Sequence, residues 1–296
     1  MEKTKTYATP TAFRRALEDR LRLIVDKEKL PIERVRREVA FDRFLARLFA
    51  DGNAPWILKG GYALELRIKE ARATKDIDMV LRETLGKDKP LDEALLAALD
   101  KAAAVGLKDF FAFTVGASMK DLDAAPYGGA RFPVEARMDG RTFVEFHIDI
   151  VAGDVVMTPI DTTEGRDWLK FAGIPAPKFP TISREQHFAE KAHAYTLPRP
   201  SMNSRVRDMV DMVLLITSST KLDSPLVKRS LDATFERRKT HALPGALNSP
   251  PAEWKGPYAK LARQCGILED LDAAFILLND YLKQAGILNE STSAHE

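Results

Sequence analysis

Apolar residues along this chain recur with two periods, and the change from one to the other sets out its elements. At 11–30 and 31–50 they fall at helical spacing among charged residues (Leu17, Leu21, Ile24; Val35, Val39, Phe41, Leu45, Leu48), which predicts two helices, the second opened by Pro31. Trp56-Ile57-Leu58 is a short apolar run stopped by Gly60-Gly61, and helix-compatible residues follow over 62–69. A strand is predicted over 76–81 and a strong helix over 91–105, ended by Gly106. The runs 110–116, 131–138 and 141–151 are β-branched and aromatic, and Asp139-Gly140 marks a hairpin turn between the last two. Gly153, Pro159, Pro175, Pro177 and Pro180 then break the chain. Beyond Thr181 the pattern is helical over 182–195, 205–217, 225–238, 251–264 and 268–284, with a tail at 289–296 expected to fray.

The expected fold class is therefore α/β (α+β): a mixed sheet flanked by helices over 1–165, followed by a helical domain over 166–296. The length of 296 residues supports two domains, each with a full core. A formal charge of +2, from 45 basic and 43 acidic residues, gives no bulk signal for nucleic acid, so any such binding has to use a local patch. The single cysteine, Cys265, excludes an intramolecular disulfide and a Cys-rich zinc site and reads as a packed small hydrophobe. Met1-Glu2-Lys3-Thr4-Lys5 lacks the apolar core of a signal peptide, and no stretch approaches 18 uninterrupted apolar residues. The expectation is a soluble cytoplasmic protein with no membrane contact.

The chemistry-bearing feature is Asp76-Ile77-Asp78. On a strand, Asp76 and Asp78 project from one face while Ile77, Met79 and Leu81 project from the other into a core. The plain alternative is an amphipathic strand with a solvated acidic face. Two crowded carboxylates repel unless a cation lies between them, and hard oxygen ligands suit Mg²⁺ (or Mn²⁺) carrying substrate phosphates. In 143–150, Val144, Phe146, Ile148 and Ile150 share one face and Phe143, Glu145, His147 and Asp149 the other, so Asp149 is the candidate third carboxylate. Lys59-Gly60-Gly61 lies upstream, where glycines allow close backbone approach to a triphosphate and N–H groups can bind its oxygens. The set has a mechanical explanation in nucleotidyl transfer, with Asp76, Asp78 and Asp149 as metal ligands and catalytic residues. His147 shares the acidic face, where the ordinary role of a strand histidine is packing.

The ordered motifs Leu58-Lys59-Gly60-Gly61-x-x-Leu64-Glu65-Leu66-Arg67, Arg72-x-Thr74-Lys75-Asp76-Ile77-Asp78, Ala189-Glu190-Lys191-Ala192-His193-Ala194 and Arg207-Asp208-Met209-Val210-Asp211-Met212 resemble the AbiEii/AbiGii-type nucleotidyltransferase toxins, a family that includes the mycobacterial MenT toxins. The resemblance covers most of the chain. Tyr62 departs from the Ser or Thr common at that position, which shifts triphosphate contact onto backbone amides. The resemblance implies an NTP substrate bound through Lys59, Gly60, Gly61, Lys75 and Lys191, with Lys191 and Asp211 also catalytic, in a cleft between the two domains. Asp211 is expected to orient Lys191 or Arg207, with Asp208 as the lesser participant. It further implies transfer of a nucleoside monophosphate to the 3′ end of tRNA, a block of translation, and a cognate antitoxin. The rival readings are nucleotidylation of a protein or small molecule, and a non-catalytic binding module of the same fold.

Local spacing adds further expectations. His187, Lys191 and Tyr195 share a helix face, with Arg184 one turn back. Arg34/Arg36/Arg37 and Arg237/Arg238/Lys239 are basic clusters able to grip an RNA backbone, although such runs ordinarily mark a solvated face. Phosphorylation of Thr74, two residues before Asp76, would add negative charge beside the metal site and inactivate it.

Overall fold

The computed structural model of the chain describes residues 5–82, 89–121, 128–199 and 205–288. The tail at 289–296 and Met1 to Thr4 lie outside these residues. Two helices come first, α1 (Pro10–Glu28) and α2 (Ile32–Leu48). Thr9 caps α1 by accepting from the Ala12 amide, and Pro31 stands just before the first turn of α2, where its missing N–H costs nothing. Then follow β1 (Trp56–Lys59), α3 (Gly60–Arg67), β2 (Asp76–Leu81), α4 (Leu91–Ala103), β3 (Phe111–Val115), β4 (Lys120–Asp121), β5 (Gly129–Met138), β6 (Arg141–Val151), β7 (Asp161–Glu164) and β8 (Lys178–Thr181). The remainder is α5 (Arg184–Thr196), α6 (Val206–Thr217), α7 (Ser224–Arg238), α8 (Lys255–Cys265) and α9 (Leu271–Gln284).

Among the described residues the strands form one mixed sheet in the order β3-β5-β6-β2-β1-β8-β7, with β4 on β5. β1 runs antiparallel to β2 and parallel to β8, and β2 runs parallel to β6. Asp139 and Gly140 both have positive φ, 55° and 68°, which is the turn geometry that a two-residue hairpin requires. Phe13, Leu17, Val39, Phe41, Phe44 and Leu45 from α1 and α2 cover one sheet face, packing with Ile77, Met79, Phe132, Phe146, Ile148 and Ile150.

Two compact units emerge from the contacts: Met1–Arg67, Ala73–Gly153 and Asp161–Thr181 in one, and Ile68–Arg72, Asp154–Ile160 and Ile182–Glu296 in the other. The proline-rich passage read as a boundary thus contains two strands, β7 and β8, with Pro180 inside β8 opposite Thr162. The second unit has its own core, including Phe188, Met209, Val213, Val227, Leu231, Tyr258 and Leu278, all buried.

Candidate active site

β2 alternates as its sequence requires: Ile77 and Met79 are buried, and Asp76 and Asp78 lie half-buried on the opposite face. The parallel register with β6 sets His147 beside Asp76 and Asp149 beside Asp78. On the other side, β1 places Lys59 opposite Asp78. The sheet therefore brings Lys59, Asp76, Asp78, His147 and Asp149 to neighbouring positions on three adjacent strands. Phe143 is the exception to the expected face. A β-bulge leaves it without a partner, since Ala136 pairs with Val144 while Arg137 pairs with Thr142, and the ring packs edge-on against Phe111 at 5.2 Å.

Gly60 and Gly61 begin α3 directly after β1, with no separate turn. A Cβ on Gly60 would come within 2.0 Å of Asp78 Oδ2, and its φ of 65° is itself a glycine conformation. A Cβ on Gly61 would meet Thr74 Oγ1 at 2.8 Å. The pair is thus required for the helix terminus to lie against Asp78 and Thr74. Tyr62 turns away from this face: its hydroxyl donates to Asp42 Oδ1 at 2.6 Å in the core. Thr74 is itself fixed through its backbone, with its amide donating to Glu65 and its carbonyl accepting from Arg37 Nε at 2.9 Å.

One residue on the acidic face was not expected from sequence. Arg131, opposite Asp149 on β5, donates to both carboxylate oxygens at 2.7 Å, and its Nη2 lies 3.8 Å from Asp76 Oδ2. Hydrogen bonding to Asp149 raises the guanidinium pKa, so this charge is permanent. His147 Nδ1 lies 3.5 Å from Asp76 Oδ1. A cavity of about 660 Å³ adjoins them, lined among others by Arg37, Lys75, Asp76, Glu145 and His147 over an apolar floor of Pro133, Val134 and Phe146. Its volume suits a nucleotide-sized ligand.

The acidic face has the donor chemistry of a magnesium site, three hard carboxylates on adjacent strands. It also attracts a cation already, the Arg131 guanidinium between Asp149 and Asp76. Among the described residues, no three His, Cys, Asp or Glu side chains are gathered into a ready metal cage. Asp76 and Asp78 are the side chains that would hold a divalent ion, with Asp149 beside them engaged by Arg131.

A second cluster lies within the other unit. Lys191 on α5 places its ammonium 3.0 Å from Asp208 and 2.9 Å from Asp211, both on α6. Arg72 donates to the two oxygens of Asp211 at 2.8 and 2.7 Å. Burial lowers the Lys191 pKa, but Asp211 and Asp208 more than offset it and hold it above the usual lysine value. Burial likewise raises Asp211, and Lys191 and Arg72 pull it below the usual carboxylate range. Asp211 is fully buried and meets Lys191 as expected, but its second cation is Arg72 rather than Arg207, which is exposed. Asp208 lies about as near to Lys191 as Asp211 does.

The structure also locates the other residues singled out by spacing. His187 and Tyr195, on the α5 face of Lys191, are buried; the Tyr195 hydroxyl donates to the Asn248 carbonyl at 2.8 Å, and Arg184 donates to Ser218. Arg34 is paired with Glu38 and Glu65, Arg36 with Glu18 and Glu33, and Arg238 with Asp154. These three of the six clustered basic residues are thus engaged in ion pairs, while Arg237 and Lys239 are exposed. His193 is a core residue; burial, then Arg238, lower its pKa to about 3. Cys265 is buried as expected.

A family model described as Nucleotidyl transferase AbiEii toxin, Type IV TA system, matches residues 43–278. The chain belongs to this family. This AbiEii chain is accordingly a nucleotidyltransferase and a toxin of the toxin–antitoxin class, which implies an NTP substrate and an antitoxin partner. A search of curated proteins gave no match. Among solved structures it is similar to MenT4, a nucleotidyltransferase toxin from Mycobacterium tuberculosis H37Rv, at 17% identity and a TM-score of 0.51, over 87% of this chain and 94% of that one. It also matches a putative nucleotidyltransferase from H. pylori at 14% identity and a TM-score of 0.43, over 83% and 95% of the two chains. The MenT4 likeness agrees with the expected nucleotidyltransferase fold. Among the described residues no helix is long and apolar enough to cross a membrane.

Proposed function

We propose that this cytoplasmic AbiEii toxin transfers a nucleoside monophosphate from an NTP to the 3′ end of tRNA, releasing pyrophosphate and stopping translation by preventing aminoacylation. The observation that carries the reading is the register of β2 and β6, which sets Asp78 beside Asp149 with Asp76 one step away, against a glycine at the start of α3. Asp76 and Asp78 would hold Mg²⁺ (or Mn²⁺), with Asp149 as the third acid of the same face; the ion would neutralise phosphate charge and lower the pKa of the attacking hydroxyl. The Gly60-Gly61 amides and Lys59 receive the triphosphate, and Lys75, exposed at the adjoining cavity, contacts the nucleotide. Lys191 binds phosphate oxygens, oriented by Asp211.

Labelled NTPs offered with tRNA, protein and small-molecule acceptors, followed by mass analysis of tRNA 3′ ends, test the proposal. Added mass on tRNA that vanishes in Asp76→Ala is the expected result. Label on protein or a small molecule would reassign the acceptor. An Asp76→Ala variant that stayed toxic would replace catalysis by binding.

A further inference from the structure

The carboxylates of the acidic face are not equivalent, and the difference lies in Arg131. Both oxygens of Asp149 already accept from Arg131, from Nε and Nη2, each at 2.7 Å. The two residues are direct cross-strand partners, so the backbone register, not a chance rotamer, holds them together. The same Nη2 reaches toward Asp76 at 3.8 Å, placing a permanent positive charge beside two of the three acids. Asp76 is otherwise neighboured by His147, and Asp78 lies against Gly60 with Lys59 opposite it on β1. A two-bond guanidinium–carboxylate pair is among the stronger polar contacts a protein makes and resists displacement by a hydrated ion.

We propose that Arg131 takes the place of one of two metal ions: the site loads a single divalent cation, on Asp76 and Asp78, while Asp149 stays paired with the guanidinium. Resting on the nucleotidyl-transfer reading, this assigns Arg131 the charge-neutralising work that a second ion performs elsewhere, with no ion to lose by dilution.

The test counts ions and does not depend on turnover. Mn²⁺ is titrated into the full chain with a non-hydrolysable NTP analogue, and free Mn²⁺ is followed by electron paramagnetic resonance. The wild type should bind one Mn²⁺ per chain. Arg131→Met, which keeps the length but not the charge, should bind two, and Asp149→Asn should still bind one. Arg131→Lys, which retains a cation, should also bind one and guards against a Met variant that fails to fold. A wild-type count of two or none, or a folded Arg131→Met with an unchanged count and affinity, overturns the assignment. Failure of the underlying reading would appear separately, as absent pyrophosphate release by the wild type with every NTP.

Discussion

Arg72 and Asp211 stand 139 positions apart in the chain and meet in a two-bond ion pair, with Lys191 on the same carboxylate at 2.9 Å. One fully buried acid therefore balances two cations. Removing it in Asp211→Ala takes the buried two-bond partner from Arg72 and leaves Lys191 to Asp208, at a cost of about 3–5 kcal/mol. Lys191→Ala is milder, because Arg72 still compensates Asp211 and Arg205 lies 3.6 Å from Asp208. Urea denaturation should rank the two in that order while both lose NTP binding. Equal stability losses would mean that Asp211 serves Lys191 alone.

Gly60→Ala should be inactive and less stable. The new methyl would collide with Asp78 Oδ2, and the backbone would still need a φ of 65°. The left-handed conformation alone costs about 1–2 kcal/mol for a residue with a Cβ. Denaturation midpoints and label transfer read the two effects. Wild-type transfer in a folded Gly60→Ala would show that Asp78 need not lie against the helix start.

Asp42 predicts a pH effect on stability. Burial raises its pKa to about 7 from 3.8, against hydrogen bonds from Tyr62 and the Arg166 amide and the nearby charge of Arg43, with Glu38 adding to the rise. A carboxyl whose folded pKa is raised stabilises fully below its unfolded value, and that contribution declines as pH rises and is gone above the folded value. The melting temperature should therefore carry a downward component between about pH 4 and 7. Asp42→Asn should start less stable at pH 5, since one oxygen becomes an NH₂ facing the Arg166 amide. The gap to wild type should narrow by pH 8, as calorimetry across pH would show. A constant gap would place the ionisation elsewhere.

Most helices were legible because their apolar spacing agrees with their caps and prolines: α1 and α7, for example, end within a residue or two of the expected limits. The acidic pair was legible because period-2 alternation is local. Arg131 was not, and the reason is one residue. Counting back from the Asp139-Gly140 turn, with Met138 opposite Arg141, puts Arg131 opposite Ile148 and on the core-facing register. The bulge at Phe143 adds a residue to β6 and moves the partner to Asp149. The same bulge misplaced Phe143. Strand β8 was hidden by its internal Pro180, β7 by its four-residue length just after Pro159, and Arg72 by its distance in sequence from Asp211. Tertiary pairing decided all of these, and no short window of sequence contains it.

Thr74 offers a last test of how tightly the Gly60-Gly61 helix start is built. Its side chain fills the space that Gly61 leaves by lacking a Cβ, with Oγ1 2.8 Å from where that atom would be. Its amide and carbonyl are both held, by Glu65 and Arg37, so the residue cannot swing outward without breaking those bonds. A larger acidic side chain here must displace the start of α3 and adds negative charge two residues from Asp76. Thr74→Glu should therefore lose nucleotide transfer, whereas Thr74→Val, of nearly the same shape, should retain most of it. Incubation with a kinase that adds phosphate at Thr74 should reproduce the Glu result. Transfer rates measured side by side decide the matter: full activity in Thr74→Glu would show that the helix start tolerates both the bulk and the charge.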